Sequence, residues 1–192
     1  MSKAFIIMLL CGVSTLTAQE EQATSPFHHQ IGVAGSLISG MGISYQYIFS
    51  DDYRVKCTGL YYTGTDNNSN SDDRTDTETQ AGLEVQKSLL KGKSTRVFAF
   101  VGVGILSSTT LSNIDIDTRA SNTQNYYHSG AGVGIELVVA GRIAFNIEVG
   151  ALYSLRVTRG ESVAPKYSIY DSHYYREAGF GIGGGLGIGY QF

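Results

Sequence analysis

The last sixteen residues, Glu177 to Phe192, limit the possible folds more than any other part of the chain. They read EAGFGIGGGLGIGYQF, with glycine at every second position from Gly179 to Gly189 and mostly apolar residues between. Successive side chains of a strand point to opposite faces, so one face here is apolar and the other nearly bare. Glycine weakens a strand, and a water-soluble sheet would carry polar side chains on its outer face. A barrel closed within a bilayer has the opposite arrangement, with apolar residues toward lipid and small or polar residues toward the lumen.

The N-terminal residues have the pattern of a secretory signal peptide. Lys3 precedes the apolar run AFIIMLLCGV, and LTA before Gln19 is typical of a cleavage site. We therefore expect residues 1–18 to be removed and residues 19–192 to form one barrel domain. Cys11 would leave with the signal, so Cys57 has no partner for an intrachain disulfide. Loss of Lys3 leaves 13 of the 14 basic residues against 17 acidic ones, which argues against a nucleic-acid partner.

Eight segments of roughly ten residues alternate between apolar and polar positions, as transmembrane barrel strands do. They cover approximately residues 30–37, 42–49, 53–64, 77–89, 95–107, 126–139, 142–158 and 176–192. Their apolar positions contain no acidic residue, and no segment after the signal has the run of about 20 apolar residues that a membrane helix needs. The sequence predicts an all-β fold, an eight-stranded antiparallel up-and-down transmembrane β-barrel.

The connections between these segments differ in length. Residues 50–52, 91–94 and 140–141 form short connections, whereas residues 65–76, 108–125 and 159–175 form long polar ones. Transmembrane barrels have short periplasmic turns and long outer loops, and the first outer connection, around ISG, is a short exception. A soluble barrel of lipocalin type is the competing structure, but it would expose a surface made mostly of glycine and charged residues.

The chain resembles the small eight-stranded outer-membrane proteins of the OmpA-barrel and OmpX kind. The resemblance rests on the strand pattern and on the C-terminal assembly signal, formed here by Gly187, Ile188, Tyr190 and Phe192. Gly185 departs from that signal, which prefers a polar residue at this position. The resemblance implies a monomer in the cell outer membrane, inserted by the outer-membrane assembly machinery and surrounded by lipid and lipopolysaccharide.

The predicted inner positions carry large side chains and charges of both signs. Leu60, Tyr62, Phe98 and Phe100 are among the large ones, and Arg54 is a further inner base. The predicted lumen charge network consists of Lys56, Glu84, Arg96, Glu136, Arg142 and Glu148. Buried charges are costly unless they are paired, so we expect these residues to neutralise one another. The network is interpreted either as a polar core that plugs the barrel or as a gate in a narrow porin-like channel.

Two groups of ionisable residues are candidates for a catalytic site. Asp115 and Asp117 in the third outer loop, with Asp171 and His173 in the fourth, are similar to the acidic pair and Asp-x-His pair of the omptin proteases. The sequence has no lipid A deacylase pattern, because His128 and Ser129 are adjacent and face opposite ways. We assign no catalytic, cofactor-binding or metal-binding residue, and an outer-membrane hydrolase remains an alternative.

The outer loops contain the remaining candidates for a function. The acidic stretch TDNNSNSDDRTDTE lacks the spacing of a calcium loop. Four tyrosines of the last loop are candidate contacts for an extracellular ligand, or else part of an outer aromatic girdle: Tyr167, Tyr170, Tyr174 and Tyr175. The expected function is a structural or surface-binding role, including adhesion, with an unidentified ligand and no cofactor.

Overall fold

The computed structural model describes residues 27–67, 73–115, 118–164 and 169–192 and shows a closed barrel of antiparallel strands in sequence order. The eight strands are β1 (His29–Ser36), β2 (Gly40–Ile48), β3 (Tyr53–Asn67), β4 (Asp73–Lys91), β5 (Thr95–Asp115), β6 (Thr118–Val139), β7 (Ile143–Ala164) and β8 (Ile169–Gln191). Strand β1 closes the ring by pairing with β8, with Gln30 opposite Gln191 and Ser36 opposite Gly185. The predicted fold class is confirmed. The predicted signal peptide, Asp117 and Tyr167 lie outside the described residues.

The barrel is inverted with respect to a water-soluble protein. Its outward face is apolar and open to the surroundings on all eight strands, for example at Ile43, Val101, Val133 and Ile147. Its inward face carries buried glutamine, glutamate, lysine and arginine side chains. A continuous apolar band of this extent is far larger than the apolar patches of soluble monomers, and it matches the lipid-facing band of membrane barrels. Among the described residues, no helix is long and apolar enough to cross a membrane.

Strands β3 to β8 extend further beyond one edge of the apolar band than the sequence predicts. Strands β5 to β8 have 21 to 23 residues each, and most of the segments predicted as polar loops at 65–76, 108–125 and 159–175 belong to them or to β3 and β4. The prediction of loops at these residues is wrong, because it identified strands only by their alternation of apolar and polar residues. Beyond the band both faces are polar, so the alternation ends, while threonine, tyrosine and cross-strand pairs such as Thr109 opposite Thr123 continue to favour strands.

Strands β1 and β2 stop far short of their neighbours. The pairing of β2 with β3 ends at Ile43 and Gly59, and the last backbone bond between β1 and β8 joins the Leu37 N–H to the Gly184 carbonyl at 3.1 Å. Beyond these points β3 pairs only with β4, and β8 only with β7, within the described chain. We name this part of β3–β8 the projecting sheet; it comprises residues 60–67, 73–80, 106–115, 118–126, 156–164 and 169–177.

Candidate functional site: the lumen

Lys56 is the centre of the first charged cluster inside the barrel. Its Nζ lies 3.0 Å from Glu84 Oε1 and 2.5 Å from Glu148 Oε1. Lys56 and Glu84 are direct partners on β3 and β4, whereas Glu148 reaches the lysine from β7. All three side chains are buried, and with its two carboxylates the cluster carries a formal charge of one negative unit.

Glu136 is the centre of a second cluster with the opposite balance of charge. Its Oε1 lies 2.8 Å from Arg54 Nη1 and 3.4 Å from Arg96 Nε. Arg96 is the direct cross-strand partner of Glu136, and its guanidinium also lies 4.4 Å from the centre of the Phe98 ring. With two bases and one acid, this cluster carries one positive unit.

Gln86 connects the two clusters. Its Nε2 donates to Glu84 Oε1 at 2.7 Å, while its Oε1 accepts from Arg96 and, at 3.2 Å, from Gln46 Nε2. The six charged side chains of the two clusters therefore form one connected and formally neutral network. Buried charges are costly unless they are paired, and in this network each of the three bases lies within ion-pair distance of a carboxylate.

The turn between β1 and β2 folds into the barrel above this network. We name residues 37–39 the inward turn; Ile38 is 1% exposed and Ser39 is fully buried. Ile38 packs against Phe98 and Phe100, and Ser39 Oγ donates to Glu84 Oε2 at 2.9 Å. The Thr58 hydroxyl donates to the Ser39 carbonyl, and Gly40 at φ +77° allows the chain to turn back into β2.

Glycines surround the inward turn on β4, β5, β6 and β8, and Gly82 on β4 lies directly against the Ser39 carbonyl. A Cβ atom added at Gly102, Gly130 or Gly183 would lie 3.0 to 3.2 Å from the Ile38 side chain, and one at Gly104 would lie 2.8 Å from the Ile38 carbonyl. Lower in the barrel, Gly185 leaves room for Glu148 and Gly134 for Phe98. The bare inner face of β8 from Gly183 to Gly189 thus has a steric cause, because the turn and the large lumen side chains occupy the space there.

The structure brings together five of the six residues predicted for the lumen network. Arg142 lies elsewhere, which is a correction: it is exposed in the turn before β7, where its Nη1 donates to the Tyr190 hydroxyl at 2.6 Å. At the end of the barrel its side chain reaches water and an aromatic ring instead of the lumen. Leu60 and Tyr62 have the predicted inward orientation but are exposed above the inward turn.

Three residues of the lumen site were not singled out in the sequence. Ile38 and Ser39 lie in a short turn, which is normally exposed, and Gln86 was only one of several polar inner residues. The apolar Ile38 within SLISG was the available signal, because an apolar residue in a polar turn often packs inward. Its partners were not deducible, because they come from strands distant in sequence.

The assembly-signal residues lie at the end of the barrel where the chain termini meet. Phe192 stacks on His29, with ring centres 5.6 Å apart, and both residues exchange backbone hydrogen bonds. Tyr190 and Ile188 face outward, whereas Gly187 faces inward against Asn146. Their role in assembly remains a prediction.

Deleting Phe192 is expected to slow membrane insertion in cells much more than it lowers the stability of the finished barrel. The residue adds one ring contact, which contributes about 0.5–1.5 kcal/mol, and two backbone hydrogen bonds to His29 at the exposed end of the barrel. Pulse-chase measurement of the folded, gel-shifted form, beside refolding in detergent, separates the two effects. A deletion variant inserted at the normal rate would contradict the assembly role.

The candidate tyrosines and acidic loop belong to the projecting sheet where they are described. Tyr174 and Tyr175 are 67% and 56% exposed on opposite faces of β8, while Tyr167 and the Tyr170 side chain lie outside the described residues. Asp76 accepts from the Thr110 hydroxyl at 2.6 Å and from Arg74 Nε at 2.9 Å, and these bonds hold the pKa of Asp76 below its usual value. The described residues contain no cluster of metal-binding side chains.

The described backbone separates Asp115 from His173, two residues of the hydrolase alternative. His173 lies in the same cross-strand row as Gly160, Asn122 and Thr110. Asp115 lies five residues beyond Thr110 along β5, a displacement of about 16 Å along the strand direction. Asp117 and the side chain of Asp115 lie outside the described part of the chain.

No family model matches the chain, and no curated protein does. Solved structures of similar fold include CarO of Acinetobacter baumannii, at 13% identity over 86% of this chain and 98% of that one, with a TM-score of 0.43. Ail, the attachment invasion locus protein of Yersinia pestis, has 15% identity, coverage of 85% and 96%, and a TM-score of 0.41. The N-terminal beta-barrel domain of Pseudomonas aeruginosa OprF has 13% identity over 85% of this chain and 95% of that one, with a TM-score of 0.30. These similarities concern the fold and do not extend to a function.

Proposed function

We propose that this protein is an outer-membrane barrel that is closed to solutes and acts as a surface-binding protein through its projecting sheet. The observation that carries the proposal is the division of the molecule into two parts. The part inside the apolar band has a lumen filled by the inward turn and the charge network. The part beyond the band is a polar sheet of six strands with two free edges.

The filled lumen favours the plug over the channel. Ile38, Phe98 and Phe100 form an apolar layer inside the barrel, and the paired charges contact it, since the Arg96 guanidinium lies 4.4 Å from the Phe98 ring centre. An ion would have to displace this layer and compete with the existing ion pairs, and both steps are costly in a narrow, dry lumen.

The projecting sheet supports the binding role. The outer ends of β5 to β8 reach more than ten residues beyond the level where β1 and β2 turn back, and structural sealing of the membrane does not require this length. Free strand edges and exposed tyrosines are features with which β-proteins engage other molecules.

Two measurements test the proposal. In planar bilayers, the purified protein is expected to show no conductance, whereas a variant with Ile38→Gly and Phe100→Ala is expected to conduct because the apolar layer is opened. On cells, shortening the β5–β6 and β7–β8 hairpins to the edge of the apolar band is expected to abolish adhesion to surfaces or to other cells. Steady conductance of the native protein, or unchanged adhesion after the shortening, would contradict it.

A further inference from the structure

The inner face of the projecting sheet and the inward turn enclose a vestibule that opens away from the apolar band. One row of directly paired residues crosses its wall from β3 to β8: Leu60, Gln80, Leu106, Tyr126, Arg156 and Glu177. The inward turn forms the floor, and beside it Gln80 Oε1 on the wall accepts from the N–H of Met41 in β2 at 3.1 Å. Since β1 and β2 end at this level, the vestibule is also open on one side.

Flat polar groups are held in a fixed arrangement on the β6–β7 part of the wall. The Tyr126 and His128 rings are nearly parallel, at 10° and 6.1 Å between centres, and the Arg156 guanidinium lies 5.5 Å from the Tyr126 ring centre. Gln124 Oε1 accepts from Arg156 Nη2 at 3.0 Å and from the Tyr126 hydroxyl at 3.1 Å. These contacts orient the groups before any ligand binds, which lowers the entropy cost of binding.

Three buried polar atoms of the same wall have no hydrogen-bond partner among the described residues. They are His128 Nδ1, Arg156 Nε and Thr158 Oγ1, and Thr158 is only 8% exposed. Buried polar groups are nearly always hydrogen-bonded, so these three atoms on the wall of the open vestibule are available to bond to a ligand that enters it. Arg156 Nε can only donate a hydrogen bond, whereas the Thr158 hydroxyl can both donate and accept. A ligand rich in hydroxyl groups can bond to both.

The β8 side of the vestibule consists of bare backbone beside exposed rings. A Cβ atom added at Gly179 or Gly181 would meet no atom within 4 Å, so a ligand can lie directly against this strand. Tyr175 on β8 and Tyr62 on β3 are 56% and 60% exposed at the two sides of the opening. Tyrosine rings offer apolar faces with a polar tip, which suits the C–H faces and hydroxyls of a sugar ring.

We propose that the vestibule binds a neutral oligosaccharide. The wall presents donors, acceptors and aromatic faces, and Arg156 lies opposite Glu177 in the pairing of β7 with β8, so this part of the wall carries one charge of each sign. The open side allows a chain of several sugar units to pass over the inward turn. This inference rests on the proposed function in placing the vestibule outside the cell, but it concerns the bare protein and needs no adhesion.

The test is isothermal titration of the detergent-solubilised full chain with maltohexaose, cellohexaose, chitohexaose and mannohexaose. At least one is expected to bind with a dissociation constant of about 1 mM or tighter. Gly181→Leu places a side chain in the vestibule from a position where a Cβ atom meets no neighbour, and it is expected to weaken binding at least tenfold, as is Arg156→Met. The matched control is Gly184→Leu, whose side chain would leave the same strand on the outward face, and its affinity should be unchanged.

The outcomes are distinct from those of the adhesion test. Absence of binding by all four sugars, or binding that Gly181→Leu leaves intact, overturns the oligosaccharide site even if the projecting sheet mediates adhesion. Binding of an extended peptide that protects the β8 backbone from hydrogen exchange, with none of the sugars binding, overturns it in favour of strand addition. Sugar binding that is lost in Gly181→Leu but kept in Gly184→Leu supports it.

Discussion

Replacing Lys56 with methionine is expected to lower the free energy of unfolding by about 3–5 kcal/mol, the usual loss when a buried charge loses its partner. Lys56 is the base shared by Glu84 and Glu148, so its removal leaves two buried carboxylates facing each other. Urea unfolding in lipid vesicles, followed by the gel-mobility shift of the folded barrel, measures the loss.

The matched control is Glu148→Gln, which removes one of the two carboxylates that are paired with Lys56 instead of the shared base. Lys56 and Glu84 then remain as a neutral pair, and the expected loss is less than about half of that for Lys56→Met. Adding Glu148→Gln to Lys56→Met should restore part of the lost stability, because one buried carboxylate is removed. Equal losses for the two single variants, or no rescue in the double variant, would show that the cluster acts only by filling space.

Replacing Val133 or Ile147 with arginine is expected to cost about 2–4 kcal/mol if the outward face contacts lipid near the middle of the bilayer. Both side chains point outward, and Ile147 is 63% exposed. In water such an exposed site would accept arginine at little cost, so the loss reports the surrounding medium. Unfolding in vesicles of defined thickness measures it.

Thr109→Arg is the matched control for this second test. Thr109 has the same outward orientation as Val101 on β5, but it lies in the projecting sheet, where its hydroxyl is 3.3 Å from that of Thr123. Its replacement should change stability by no more than about 0.5 kcal/mol, as at an ordinary surface site. Similar losses at all three positions would contradict the membrane placement of the apolar band.

The two tests concern the outward apolar face and the Lys56 cluster, and the sequence predicts the first more fully than the second. The inward and outward sets could be read directly, because a strand alternates its side chains with a period of two. Lys56 and Glu84 were both predicted at inner positions, and the structure makes them direct partners on consecutive antiparallel strands. Glu148 reaches the same lysine from β7, and only closure of the barrel brings that strand across the lumen from β3.

The position of Arg142 shows the limit of alternation near strand ends. One residue before β7 the chain is in a turn, so the period-two pattern no longer fixes the direction of the side chain. The guanidinium packs near Phe27 and Tyr190 at the barrel rim instead. The outer loops were predicted too long for a related reason. Strands that are polar on both faces show no apolar alternation by which the sequence could reveal them.

The sequence by itself determined the number of strands, their order, the lipid-facing set and the presence of balancing charges in the lumen, because each of these follows from local alternation and composition. Only the tertiary structure decided that Ile38 and Ser39 fold inward, that glycines on β4, β5, β6 and β8 make room for them, and that Gln86 joins the two charged clusters. It also decided where the vestibule lies. These features depend on which strands face each other across a closed ring, and alternation along one strand carries no information about distances across the lumen.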